Sequence, residues 1–306
     1  MRLPTSKISA RKRRDSYIIL KVAGMIDGIK CTVHGVNPEA LRRKLEFHTP
    51  VNDNTGEADP YSFSRLDNFR LSLNSQKGAC AIRGSLHKFA HQGRNDTDFG
   101  YSALIESMDG LLGFFGVKPE SVVLHNIEVG VNLDYAPAEI IDNLLLYGSN
   151  PFAPMSPNPR RFLGSRCELS QYALKVYGKN KTLLRLETQV KRMQFMNAIT
   201  GGTTLTFDCL RDKMILGGLG KMLLHTWDKV MVWEEIALAE LKDKEREVLL
   251  FGRYPSFWTD LQKANPENFK KKTTRFLDLQ SQYKTTSRKE EVARLAGVKF
   301  ANLLEA

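Results

Sequence analysis

The segment GSRCELSQYALKVYGKNKTLLRLETQVKR, residues 164–192, holds tyrosines, glutamates and a row of lysines and arginines. Two stretches of it alternate in the manner of strands on either side of the turn KNK, so alternation decides which side chains meet. In YALKVYGK, Lys175, Tyr177 and Lys179 share one face, opposite Leu174 and Val176. In LLRLETQVK, Arg185, Glu187, Gln189 and Lys191 share a face, opposite Leu184, Leu186 and Val190. Paired as a hairpin, they set Tyr177 and Glu187 among cations over an apolar underside. A further strand, HNIEVGVNL, carries Asn126, Glu128 and Gly130 on one face and adds a second carboxylate. Carboxylate oxygens hold Mg²⁺ or Mn²⁺, and such an ion polarises a phosphoryl group. A phenol with a pKa of about 10 is a poor nucleophile until nearby cations favour its phenolate. Lys175, two residues from Tyr177, is placed to do that. These residue types suit metal-assisted chemistry on a phosphodiester; a solvent-facing strand that does no chemistry carries the same alternation.

The remaining reactive residues form weaker patterns. His87 and His91 in GSLHKFAHQGRN read either as metal ligands or as surface or DNA-contacting imidazoles, on a strand ending near Lys88. His125 falls on the apolar side of its strand, opposite Glu128, and is expected to be packed. The stretch GGLG at 217–220 lacks G-x-x-x-x-G-K-[ST] and a preceding strand, so it reads as a flexible turn. Neither G-x-S-x-G nor H-E-x-x-H occurs.

The elements that must position these residues follow from periodicity. Alternating apolar stretches from Tyr17 to Val36, a helix in NPEALRRKLEF entered through Asn37, and a hairpin in FRLSLNSQKGACAIRGSLHKF come first. A helix stopping at Gly116, a central strand in SVVLHNIEVGVNLDY, a helix in APAEIIDNLLLYG and the hairpin above complete an α+β unit. Its expected form is an antiparallel central sheet with helices packed on it, over residues 17–210. A mainly helical C-terminal region follows over 211–306, its last segment, SRKEEVARLAGVKFANLLE, reading as an amphipathic helix. Residues 1–16 form a basic arm without the apolar core of a signal peptide.

At 306 residues the chain can bury a sizeable core. A formal charge of +11 points to a polyanionic partner, usually nucleic acid. Cysteines 31, 80, 167 and 209 form no C-x-x-C pair, which suggests reduced thiols and neither a zinc site nor a disulfide scaffold. No apolar run approaches the roughly 18 residues of a membrane span, so no membrane partner is expected.

Taken together, these segments carry a resemblance. GSR followed by YALKVYGK resembles the G-S-R…Y-x-R-x-Y-[DE]-K segment of rolling-circle replication initiators, the endonucleases of small plasmids and single-stranded DNA phages. LLRLETQVKR resembles the R-x-E strand that follows it. GSLHKFAHQGRN resembles the S-x-x-K-F and G-x-N segment of filamentous-phage replication proteins, and LHNIEVGVNL is similar to the strand bearing their acidic metal ligand. The four occur in order over roughly residues 25–210, as in the phage and plasmid replication proteins of Bacteroides-like bacteria.

The resemblance implies an HUH-like tyrosine endonuclease fold. Tyr177 would attack the origin phosphodiester, stay joined to the 5′ phosphate and release a 3′ hydroxyl that primes synthesis. Lys175 and Lys179 would assist at the scissile phosphate. Glu128, Glu187 and His87 would hold Mg²⁺ or Mn²⁺, and Arg166, Arg185, Lys191 and Lys88 would contact DNA. Covalent capture conserves bond energy, so a later strand transfer reseals the DNA without ATP. Tyr172 is the fallback nucleophile, on the opposite face of its strand. Departures are Gly178 in place of the acidic residue after the tyrosine, Leu174 where an arginine is common, and no H-hydrophobic-H pair. The implied partners are single-stranded origin DNA and a host helicase or polymerase, in the cytoplasm of a bacterial host. Two alternatives keep the DNA: a non-catalytic origin-binding initiator, and a mobilisation relaxase or transposase. A third is a protein that coats DNA with little sequence preference.

Overall fold

The computed structural model describes residues 25–158, 163–237, 239 and 241–306. The basic arm expected over 1–16 and the apolar stretch at 17–24 lie outside the described residues. The strands are β1 (Met25–His34), β2 (Tyr61–Leu66), β3 (Phe69–Asn74), β4 (Ala79–Ser85), β5 (Val122–Asp134) and β6 (Leu144–Tyr147). They continue with β7 (Asn150–Pro151), β8 (Ala153–Pro154), β9 (Gly164–Glu168), β10 (Tyr172–Gly178), β11 (Leu183–Val190) and β12 (Val230–Val232). Nine of them make one antiparallel sheet in the order β2-β3-β4-β1-β5-β11-β10-β9-β8, and β12-β6-β7 make a small second sheet.

Alternation along the strands gives the large sheet two unlike faces. In β5 the side chains of Ile127, Val129, Val131 and Leu133 are buried in the core, while Asn126, Glu128 and Asn132 point the other way. In β10 and β11, Leu174, Val176, Leu184, Leu186 and Val190 join the same core. The helices are α1 (Pro38–Lys44), α2 (Leu86–Ala90), α3 (Tyr101–Phe115), α4 (Pro137–Ile141) and α5 (Asn197–Thr200). The C-terminal ones are α6 (Lys213–Asp228), α7 (Asp243–Gly252), α8 (Pro255–Ala264), α9 (Pro266–Tyr283) and α10 (Arg288–Glu305). Helices α6 and α10 pack on the apolar face, against β5 and each other. Thr188 of β11 shares a 3.1 Å hydroxyl hydrogen bond with Thr226 of α6. The opposite face is left for polar side chains. The fold is therefore α+β, with a large antiparallel sheet and a helical C-terminal region.

That C-terminal region has its own second core, in which Trp258, Phe269, Phe276 and Leu279 pack with Leu145, Leu146 and Trp233. Asn37 caps α1, accepting from the Ala40 amide at 3.0 Å with Pro38 at the first position, as the sequence predicts. Helix α3 ends at Gly116, whose φ of 69° is the left-handed form that glycine adopts freely.

Several elements differ from expectation. GSLHKF leaves the sheet at Ser85 and becomes α2, because the Ser85 hydroxyl accepts from the Lys88 amide at 2.9 Å and caps a helix. The expected helix in APAEIIDNLLLYG stops after Ile141, and Leu144–Tyr147 pairs as β6 with β12 and β7. GGLG is no turn; it lies inside α6. Strand β2, which the sequence reading left unassigned, forms an edge of the sheet. His125 is exposed, not packed: a register irregularity between Lys30 and Cys31 on β1 shifts its pairing, and its ring bonds the Thr32 hydroxyl at 2.9 Å. Among the described residues, no helix is long and apolar enough to cross a membrane.

Candidate active site

The site lies on the polar face where β1, β5, β11 and β10 run side by side. Hairpin register sets Lys175 opposite Glu187 and Tyr177 opposite Arg185, while β5 sets Gly130 opposite Glu187 and Glu128 opposite Gln189. Gly130 leaves room there. A Cβ on it would lie 2.7 Å from the Leu186 carbonyl oxygen and 3.3 Å from Arg185 Nη2.

Arg185 fills that space and is fully buried. Its Nε donates to Glu187 Oε2 at 3.0 Å, Nη1 to Asn132 Oδ1 at 3.0 Å, and Nη2 to Asp27 Oδ2 at 2.9 Å. Asp27 also accepts from the Ser85 hydroxyl and, at 2.9 Å, from Asn95 Nδ2. A buried guanidinium needs this many acceptors, since an unpaired charge inside a protein is strongly destabilising. Arg185 is thus a frame for carboxylates, which corrects the expectation that it contacts DNA: a side chain with no exposure reaches no phosphate.

Lys175 joins the two glutamates. Its Nζ donates to Glu187 Oε1 at 2.7 Å and Glu128 Oε1 at 3.0 Å, and Gln189 Nε2 also donates to Glu128 Oε1, at 2.6 Å. The Tyr177 hydroxyl donates to Glu187 Oε2 at 3.1 Å. Lys179 lies with its Nζ 5.2 Å from the centre of the Tyr177 ring and donates to Asn95 Oδ1 at 2.8 Å. Tyr177, Lys175, Glu187, Glu128 and Gln189 floor a cleft of about 550 Å³, whose walls include Lys30, Asn68, Arg83 and Lys88.

The electrostatics run against one expectation. Burial, followed by the Glu187 carboxylate, pushes the Tyr177 phenol well above its ordinary pKa, so the cations do not make a resting phenolate. Lys175 and Arg185 are already paired with carboxylates. Burial opposes the charged form of Glu187, yet Arg185 and Lys175 outweigh it and hold this carboxyl below its usual range. Asp27 is likewise lowered, with burial outweighed by Arg185 and by its hydrogen bonds. Glu128 goes the other way, raised by burial and then by the charge of Glu187. Burial, then Arg185, brings Lys179 down to about 8.

The other predicted residues are placed as follows. Lys88 lines the cleft. Arg166 pairs with Glu168, as does Lys191, which also donates to the Leu169 carbonyl at 3.1 Å, so both flank the site at β9. Tyr172 lies on the opposite face, its hydroxyl 2.7 Å from that of Tyr147 and its ring stacked on Phe195. His87 is fully buried, stacks on Phe99 and bonds the Thr97 hydroxyl at 3.3 Å, and burial brings its pKa down to about 4. Among the described residues no three His, Cys, Asp or Glu side chains gather into a metal-holding group, so the set Glu128, Glu187 and His87 is not assembled. Asp27, Asn95 and Asn132 were missed by sequence reasoning. Asp27 had a signal, as a single carboxylate amid the apolar run MIDGIK, which needs a buried partner, and Asn95 had one as the last residue of GSLHKFAHQGRN.

Glu128 and Glu187 on their own remain suited to a hard divalent ion. An oxygen of each lies within hydrogen-bond distance of the one Lys175 ammonium. Mg²⁺ commonly binds through one or two carboxylates together with substrate phosphates. The Lys175 ammonium stands between the two and would share that role. A scan against protein-family models finds no match, and no curated protein matches the chain.

Proposed function

We propose that this chain is a replication initiator that nicks single-stranded origin DNA through Tyr177, on an HUH-like tyrosine endonuclease fold. The observation that carries the reading is the hydrogen bond from the Tyr177 hydroxyl to Glu187, inside a cluster of carboxylates and cations on the open face of an antiparallel sheet. A neutral phenol needs a base at the moment of attack, and Glu187 Oε2, already its acceptor, takes the proton. The phenolic oxygen then bonds to phosphorus as the bond from phosphorus to the 3′ oxygen breaks. Lys179, with a pKa near 8, gives its proton to that leaving oxygen. Lys175 holds Glu128 and Glu187 in register and supplies positive charge beside the phosphoryl oxygens. A Mg²⁺ or Mn²⁺ ion held by Glu128 and Glu187 would supply Lewis-acid polarisation of the phosphoryl group.

Gly178, the departure after the tyrosine, fits this arrangement. A Cβ there would lie 3.0 Å from Pro137 Cγ and 3.1 Å from the Asn180 carbonyl, so any side chain would be tightly packed against α4 and the turn. Glu187 supplies the acceptor that an adjacent carboxylate would otherwise give. A second reading, an origin binder without chemistry, is favoured by the resting cluster, in which Lys175 and Arg185 already satisfy the carboxylates.

One experiment separates the two. The protein is incubated with single-stranded DNA from its own genetic element, with Mn²⁺ or with chelator, and the products are resolved on a denaturing gel and by mass spectrometry. We expect a DNA-linked peptide containing Tyr177, absent from Tyr177→Phe, which keeps DNA binding because only the hydroxyl is lost. Binding with no covalent adduct, on DNA known to hold the origin, would establish the non-catalytic reading.

A further inference from the structure

One rung of the large sheet carries four cations on successive strands. Register sets Arg65 of β2 opposite Arg70 of β3, Arg70 opposite Arg83 of β4, and Arg83 opposite Lys30 of β1. Directly opposed residues point to the same face, and all four side chains are exposed. Like charges facing each other across strands are destabilising. Among the described residues none of the four is relieved by an ion pair. The row spans about 14 Å at the usual strand spacing. At its inner end Lys30 and Arg83 line the same cleft as Tyr177 and Glu187. At its outer end β2 exposes two aromatics at alternate positions from Arg65, Phe63 at 43% and Tyr61 at 40%.

We propose that Arg65, Arg70, Arg83 and Lys30 form a track for the sugar–phosphate backbone of single-stranded DNA, running from the sheet edge into the cleft, with Phe63 as a base-stacking platform at its entrance. Single charge sign, absence of counter-charge and continuity with the cleft call for a polyanion. Aromatic rings at the outer end favour unpaired bases, since only a single strand presents base faces for stacking. The proposal rests on the nucleic-acid reading of the cleft and adds to it the path by which a strand arrives.

The test uses the full chain, a fluorescein-labelled oligodeoxythymidylate and the double variant Arg65→Glu/Arg70→Glu, with anisotropy titrations over a series of salt concentrations. Each phosphate contact on a single strand contributes about −0.7 to the slope of log affinity against log salt. The expected result is binding weakened by about tenfold or more and a slope shallower by about 1.4 for two lost contacts. The thermal midpoint should stay near the wild-type value, because the 65/70 pair remains like-charged while position 70 gains an opposite charge facing Arg83. Phe63→Ala should weaken binding while leaving the slope in place. Wild-type affinity and slope in the double variant would overturn the track, even where the wild-type protein forms the Tyr177 adduct. Failure of that adduct, with the slope change present, would remove the cleavage reading and leave the track. Equal weakening for a duplex of the same length, bound as tightly, would overturn the single-strand assignment in favour of duplex docking.

Discussion

Lys179 reaches over the Tyr177 ring from the end of β10, and burial followed by Arg185 lowers its pKa to about 8. In the proposed nicking step Lys179 must be charged to donate its proton to the leaving oxygen, so nicking should decline as pH rises through about 8. The stability sign is opposite. Between about 8 and its ordinary 10.5 the unfolded chain holds a proton that the folded chain has released, so this lysine's contribution to stability rises with pH. A falling rate in that window is therefore not caused by this lysine's own effect on stability. Single-turnover rates from pH 6 to 10 should show the alkaline limb, and Lys179→Arg, which stays charged, should flatten it; an unmoved limb would exclude Lys179 as the donor. Much of the site was legible at this scale, because alternation placed Tyr177, Lys175, Glu187 and Glu128 on one face. The role of Arg185 was not. An arginine on a strand looks the same whether it meets phosphate or a buried Asp27 delivered from β1, more than a hundred residues away in sequence.

Strand pairing turns those residues into a site, and two glycines show how. Gly130 sits where β5 passes β11, and a Cβ there would come within 2.7 Å of a backbone oxygen, which cannot swing aside. Gly130→Ala must part the β5–β11 ladder or displace Arg185. A cost of roughly 1–3 kcal/mol, typical of overpacking, should appear as a lowered unfolding midpoint in urea. At Gly28 the added Cβ would meet Glu128 Oε2 at 2.4 Å, the far end of a flexible side chain. Gly28→Ala should therefore keep near wild-type stability yet move Glu128, and weaken Mn²⁺ binding measured by calorimetry. Equal stability losses in the two variants would contradict this account of the pairing. Hairpin β10–β11 and central strand β5 were readable because their alternation is long and uninterrupted. Helix α2 and strand β6 were not: a single hydroxyl cap starts the first, and pairing with β12, far along the chain, holds the second.

At the scale of the whole molecule, the chain leaves the sheet and comes back to it. The sequence changes character near residue 210, where β-rich segments give way to helix, yet the helices beyond that point do not all form a separate body. Helices α7 to α9 build the second core around Trp258 and Phe276, while α6 and α10 cover the apolar face of the sheet. Buried Glu234 fastens the return, accepting from the Thr286 hydroxyl at 2.6 Å and from the Arg288 and Lys289 amides at 3.0 and 2.9 Å. Composition could not reveal this, because an amphipathic helix reads alike whichever core it serves. From α10, Val292, Phe300, Leu303 and Leu304 are buried in the main core. At about 1.5–3 kcal/mol for each large apolar side chain, their burial amounts to roughly 6–12 kcal/mol. That is comparable with the whole stability of a typical domain, about 5–15 kcal/mol. Deleting residues 288–306 should therefore unfold the sheet that carries Tyr177, and not merely detach a tail. Circular dichroism and urea titration of the truncated chain should show the cooperative transition lost or shifted to much lower denaturant. A truncated chain with the wild-type transition would mean that the sheet is stable without its C-terminal cover.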